Sequence, residues 1–356
     1  MNQPLKVSAW VGAAADDDIC VVGLGARTAV GTGVQAMAAA VRGGISGLSL
    51  HPRFVDQGGE PVSFACDPAL GTDLPIVERM TAMLEDATDE ALTSTVSITP
   101  DGCLLALPEP RVGLPVDLES ILADAQARHL KLPRDAVRTL PRGHAGGLMA
   151  LQAAAQWLSR SDFQAVLVVG VDSYHDALTM RSLELHCRLK CSQIRGGFPP
   201  GEAAGACLLV GKAVAEGAGL QVLAKIRAAA TTVEPNALRG TEPCVGAGLT
   251  AAIASVTQSL QLPQEEITLT YCDLNGERFR NEEFAFAQLR TQDAFVDAND
   301  YLSPADCWGD VGAASGPLYV ALAAASKQRG YAKGAFSLLW SGSDSGYRSA
   351  LTLSLA

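Results

Sequence analysis

The run AVLVVGV, Ala165 to Val171, has no polar side chain on either face of an extended strand. Such a strand must be buried on both faces, which in a chain this long means a sheet covered by helices on each side. Comparable runs recur: ICVVGLG (19–25), CLLALPE (103–109) and the strand within GGFPPGEAAGACLLVGKAV (196–214). Helical patterns separate them, in VQAMAAAVRGG, in Ile76–Ser94 with its charged outer face, and in LPRGHAGGLMALQAAAQWL, where a glycine turn feeds a long apolar helix. The scheme restarts near Leu220: strand GLQVLAKIRAAAT, helix Ala247–Leu262, strand and turn ITLTYCDLNG, helix AASGPLYVALAAASKQRG, and the closing strands SLLWSGSDSGYRSALTLSL. The expectation is an α/β protein of two similar halves, 1–218 and 219–356, with largely parallel sheets sandwiched by helices.

The 356 residues are 48% hydrophobic but only 5% aromatic, which suits alanine-rich helices packed closely on those strands. A net charge of −11 argues against nucleic acid or anionic membrane as partner, because both require a basic face. The N-terminus has no apolar core before its acidic run Asp16–Asp18, and no apolar stretch is long enough to span a bilayer. The nine cysteines show no paired spacing and read as reduced thiols of a cytoplasmic protein. Cys187 and Cys191 lack the second pair a zinc site requires. GLGARTAVG has Thr28 where a dinucleotide fingerprint needs its third glycine, so no cofactor or metal is expected.

Several segments together resemble the β-ketoacyl synthases of the thiolase superfamily. GLGARTAVGTGVQAMAAAVRGGISGL looks like that family's opening, AVLVVGVDSY like the strand after its nucleophile helix, and RGGFPPGEAAGACLLV like its F-x-P-G-E-G-A loop. GDVGAASG resembles the G-H-x-x-A-A-x-G helix entry, and SGSDSGYRSALTL the closing G-F-G-G strand. The resemblance implies a five-layered α-β-α-β-α thiolase-like fold, dimerised through the strand that follows the nucleophile helix.

The same alignment implies altered chemistry. The family's A-C-S-S-S-L-x-A-L falls on Gly143–Leu151, which puts His144 at the nucleophilic cysteine. A-H-G-T-x-T falls on CDLNGE, with Asp273 at the first histidine, and G-H-x-x-A-A-x-G falls on Gly309–Gly316, with Asp310 at the second. The gating phenylalanine becomes Asp344. Decarboxylative condensation needs a thiolate to carry the acyl group and neutral donors to hold the enolate. Carboxylates there would oppose it, since like charges ~4 Å apart repel by several kcal/mol at an effective dielectric near 20.

The resemblance therefore points to a protein without condensing activity. Its role would be that of a scaffold, a partner subunit of chain-length-factor type, or an adaptor like the ketosynthase-like accessory proteins encoded with secreted effectors. It would form a homodimer, or a heterodimer with a ketosynthase-like subunit; an acyl carrier protein and a secretion-system component are the other candidate partners. The alternative is an acyl-thioester hydrolase or acyltransferase using His144 with Asp310 or Asp273. A histidine at a helix N-terminus tends to stay neutral, while nearby aspartates would pull the other way. Cys272 and Cys307 are candidates for a relocated nucleophile, though buried cysteine is usually inert. The turn Asn275–Arg278 reads as a solvated corner or a pocket rim, and Arg138 with Arg142 as solvated residues or a basic spot for an acidic carrier.

Overall fold

A computed structural model describes residues 6–12, 19–93, 95, 97–238, 240 and 242–355; the acidic run Asp16–Asp18 lies outside them. The N-terminal part contains strands β1 (Ser8–Val11), β2 (Ile19–Thr28), β3 (Leu48–Val55), β4 (Pro61–Ala65), β5 (Gly102–Leu107), β6 (Val137–Pro141), β7 (Ala165–Ser173) and β8 (Glu202–Gly211). Its helices are α1 (Val34–Arg42), α2 (Ile76–Thr93), α3 (Leu118–Leu130), α4 (Gly146–Ser159), α5 (Ala177–Leu185) and α6 (Lys212–Gly217). The C-terminal part holds β9 (Ala224–Val233), β10 (Leu269–Cys272), β11 (Tyr301–Leu302), β12 (Phe336–Gly342) and β13 (Tyr347–Ser354). Helices α7 (Ala247–Thr257), α8 (Arg278–Thr291), α9 (Ala305–Trp308) and α10 (Ser315–Gln328) accompany them.

The two parts repeat one topology. The first sheet runs β6-β5-β7-β8-β2 and the second β11-β10-β12-β13-β9, so each has strand order third, second, fourth, fifth, first. They join where β2 pairs antiparallel with β9, Ile19 opposite Ile226. The sheets are mixed rather than largely parallel as the sequence suggested: β8 and β13 run antiparallel to both their neighbours. Parallel and doubly buried antiparallel strands carry the same continuous apolar pattern, so composition alone does not separate them.

Three apolar clusters define five layers. α2 and α3 cover the outside of the first sheet and α7 and α8 the outside of the second. α4 and α10 lie between the sheets, and α10 is buried on every side from Ser315 to Ser326. The central helices meet at glycines. A Cβ on Gly147 would lie 2.7 Å from Pro317 Cδ, and one on Gly316 would lie 2.6 Å from the Leu148 nitrogen. Each helix is entered by a 3-10 turn, Gly143–Ala145 and Gly312–Ala314. The glycine contact therefore brings the two entry turns face to face.

The expected pairing of a second copy through β7 is corrected. That strand is hydrogen-bonded to β5 on one side and β8 on the other and has no free edge. The edge of the first sheet is β6, which precedes α4. No helix among the described residues is long and apolar enough to cross a membrane.

Candidate functional site

The facing turns bring His144 and Asp310 into direct contact. His144 Nε2 donates to Asp310, 2.8 Å from Oδ1 and 2.9 Å from Oδ2. Three further donors converge on the same carboxylate: the Asn275 amide at 2.7 Å, the Gly312 N–H at 3.0 Å and the Tyr174 hydroxyl at 3.3 Å. Burial alone would push the Asp310 carboxyl up, but His144, the Arg280 charge and the Asn275 amide hold it well below the usual carboxylate range. Burial likewise opposes an imidazolium at His144, yet the facing Asp310 charge prevails and raises the histidine above its ordinary 6.5. The helix N-terminus, which favours the neutral ring, is overridden by a carboxylate in contact.

Asp273 does not join His144 by a hydrogen bond. Its Oδ2 accepts from Arg280 Nη1 at 2.9 Å and from the Gly342 N–H at 2.9 Å, while the buried Oδ1 has no partner. Burial raises the Asp273 carboxyl even with Arg280 beside it. Asp344 lies against Arg188, with Arg280 Nη2 3.7 Å away. Arg188 also grips both oxygens of Glu277, at 2.7 and 2.9 Å. Burial raises Asp344 but the two arginines bring it below its ordinary value.

These contacts correct the expected electrostatics. The carboxylates of Asp273, Glu277, Asp310 and Asp344 are interleaved with His144, Arg188 and Arg280, so they do not stand as unopposed repulsions. Nε2 of His144, the Asn275 amide and the Tyr174 hydroxyl are all committed to the Asp310 carboxylate. An oxyanion needs such donors unengaged and preorganised.

Arg188 and Arg280 are the residues the sequence reading missed. The usable signal was chemical: clustered acids at buried positions demand cations nearby, and both arginines lie within or just beyond the motifs already singled out. The Asn275–Arg278 turn also differs from a solvated corner, because Asn275 and Glu277 are buried in the cluster while Gly276 and Arg278 are exposed, Arg278 paired with Glu282. Arg138 stacks toward Trp157 and Arg142 over Tyr347.

A cavity of about 360 Å³ opens beside His144, lined by Glu109, Arg111, Tyr174, Leu183, Arg188 and Asp344 among others. Behind His144, toward Cys272 and Tyr319, the void is only about 10 Å³, room for one water at most. Cys272 is buried, its thiol pushed far up by burial and its sulfur 3.8 Å from the Leu302 carbonyl. Burial raises Cys307 as well, so neither is a ready thiolate. Cys187 and Cys191 do not join a group of metal-ligating side chains among the described residues. His51, Cys66 and His175 do come together, but His51 Nδ1 accepts the N–H groups of Arg53 and Phe54. Its proton therefore sits on Nε2, which donates to His175 Nε2 at 2.9 Å and forms a satisfied pair rather than an open ligand set.

No family model and no curated protein matches the sequence. Solved structures do. One is a type II polyketide synthase acyl-carrier protein in complex with its ketosynthase (AntDE:AntF), with TM-score 0.79 and 14% identity over 95% of this chain and 99% of that one. Another is the ishigamide ketosynthase/chain length factor, with TM-score 0.76 and 16% identity over 96% and 100%. A third is the ketosynthase from module 6 of the bacillaene synthase of Bacillus subtilis 168, with TM-score 0.77 and 15% identity over 95% and 72%. In structure the chain is ketosynthase-like, with the α/β thiolase-like fold.

Proposed function

We propose that this chain is a ketosynthase-like protein without condensing activity that serves as a scaffold or partner subunit. One observation carries the reading: at the entry to α4, where the family alignment places the nucleophile, His144 is held in an ion pair with Asp310. An imidazole cannot supply the thiolate needed for acyl transfer, and its Nε2, engaged by a buried carboxylate, is not available to an enolate. Likeness to a ketosynthase/chain length factor structure supports a role beside an active subunit. Pairing would use the β6 edge, in a homodimer or with a cysteine-bearing ketosynthase. An acyl carrier protein or a secretion-system component would be the wider partner, in keeping with a cytoplasmic chain. Incubation with malonyl- and acyl-carrier thioesters followed by intact mass measurement tests the reading. The mass stays unchanged if it holds, and a covalent acyl adduct overturns it. Pull-down of a ketosynthase or of a secretion component separates the two scaffold roles.

A second reading rests on the same contact. A histidine oriented by an aspartate is half of a hydrolytic base, and His144 also lines the cavity. Thioester hydrolysis abolished by His144→Ala would support it. The raised histidine favours the first reading, because a general base must be unprotonated.

A further inference from the structure

The cavity beside His144 is walled by charge of both signs, and most of it is already matched. Asp172 accepts from Arg111 Nη2 at 2.7 Å and from the Ala313 N–H at 3.2 Å, and Asp344 and Arg188 are paired. Among the described residues Arg111, His144 and Glu109 each keep an unmatched group, Arg111 at its buried Nε as well. Arg111 Nη2 also donates to the Ser173 carbonyl at 2.6 Å, but its Nη1 makes no hydrogen bond among the described residues. Nor does His144 Nδ1, the nitrogen turned away from Asp310. Glu109 accepts from the hydroxyl and N–H of Ser345 and forms no ion pair among the described residues. These three are neighbours: Arg111 is two residues from Glu109, and the missing Cβ of Gly143, next to His144, would lie 3.1 Å from Glu109 Cγ.

We propose that this cavity binds a small zwitterion of the α-amino acid kind, its carboxylate held by Arg111 and His144 and its ammonium by Glu109. An α-amino acid carries its two charges one carbon apart, which suits donors and an acceptor lining one cavity. Val112, Leu183 and Leu238 supply an apolar wall for an aliphatic side chain, and about 360 Å³ accommodates a leucine-sized molecule. A bare acyl chain would strip water from these charged groups and give nothing in return. The inference rests on the non-condensing reading above, because an acylated site would fill this space.

Isothermal titration of the full chain with L-leucine tests it, alongside leucinamide, which lacks the carboxylate, 4-methylpentanoate, which lacks the ammonium, and octanoate. L-leucine is expected to bind and each one-charge analogue to bind roughly tenfold or more weakly, the worth of one charge-assisted hydrogen bond. Arg111→Met and Glu109→Gln should each weaken leucine by a similar factor. Should Arg111→Met fail to fold, Glu109→Gln still decides, since among the described residues its side chain hydrogen-bonds to Ser345 alone. Octanoate binding as tightly as leucine, leucine failing to bind, or leucine binding Glu109→Gln unchanged would overturn the proposal. An acyl adduct in the mass experiment defeats the non-condensing reading itself. Absence of leucine binding without an adduct defeats only this inference.

Discussion

His144 and Asp310, 166 residues apart in the chain, form a buried ion pair with both carboxylate oxygens within 2.9 Å of one ring nitrogen. The histidine is raised in the fold, so its contribution is complete below about pH 6.5 and fades as pH climbs through its folded value. Asp310 is depressed, so its contribution is complete above about pH 4 and is lost only in stronger acid. The pair should therefore stabilise most between about pH 4 and 6.5. NMR titration of the His144 ring should give a midpoint above 6.5 that drops below the wild-type value in Asp310→Asn. A wild-type midpoint at or under 6.5 would contradict the ion pair.

Arg280 is the cation shared by Asp273, Glu277 and the neighbourhood of Asp344. Replacing it with methionine leaves buried carboxylates unmatched and should cost about 3–5 kcal/mol in urea unfolding. Asp273→Asn added to Arg280→Met should recover part of that loss, because the stranded charge is then gone. Two simply additive losses would show that Arg280 acts through packing instead.

His144→Cys alone should not create an acyl-accepting enzyme. The new thiol would face the Asp310 carboxylate, which holds the thiol protonated, and the donors of Asn275 and Tyr174 would remain committed to that carboxylate. Intact mass after exposure to an acyl-carrier thioester should equal that of the unexposed variant. A stoichiometric adduct on the single variant would refute this account of the site.

The contact between Gly147 and Gly316 sets how closely the central helices approach. Gly316→Ala forces a methyl to within 2.6 Å of backbone, so the helices must part, at a cost of about 1–3 kcal/mol. Gly217→Ala, where nothing lies within 4 Å, is the control and should change stability by no more than about 0.5 kcal/mol. Equal melting temperatures for the two variants would remove the tight crossing from the account.

The alternation of doubly apolar runs with helical patterns is a local property, and the chain alone specified an α/β protein with its strands inside and its alanine-rich helices between and around them. Periodicity reports burial, and burial is what AVLVVGV and LYVALAAAS encode. It does not report direction, which is why the antiparallel runs of β8 and β13 emerged only from the pairing. The motifs likewise named His144, Asp273, Asp310 and Asp344 one at a time, each from its own short stretch.

Who faces whom was decided by the fold. Asp310 meets His144 because two glycines let α4 and α10 touch at their first turns, and Asp273 meets Arg280 where the chain turns from β10 into α8. Arg188 reaches Glu277 across 89 residues of chain. Charge pairing at that range depends on side-chain positions a few ångströms apart in space, and no linear spacing records them.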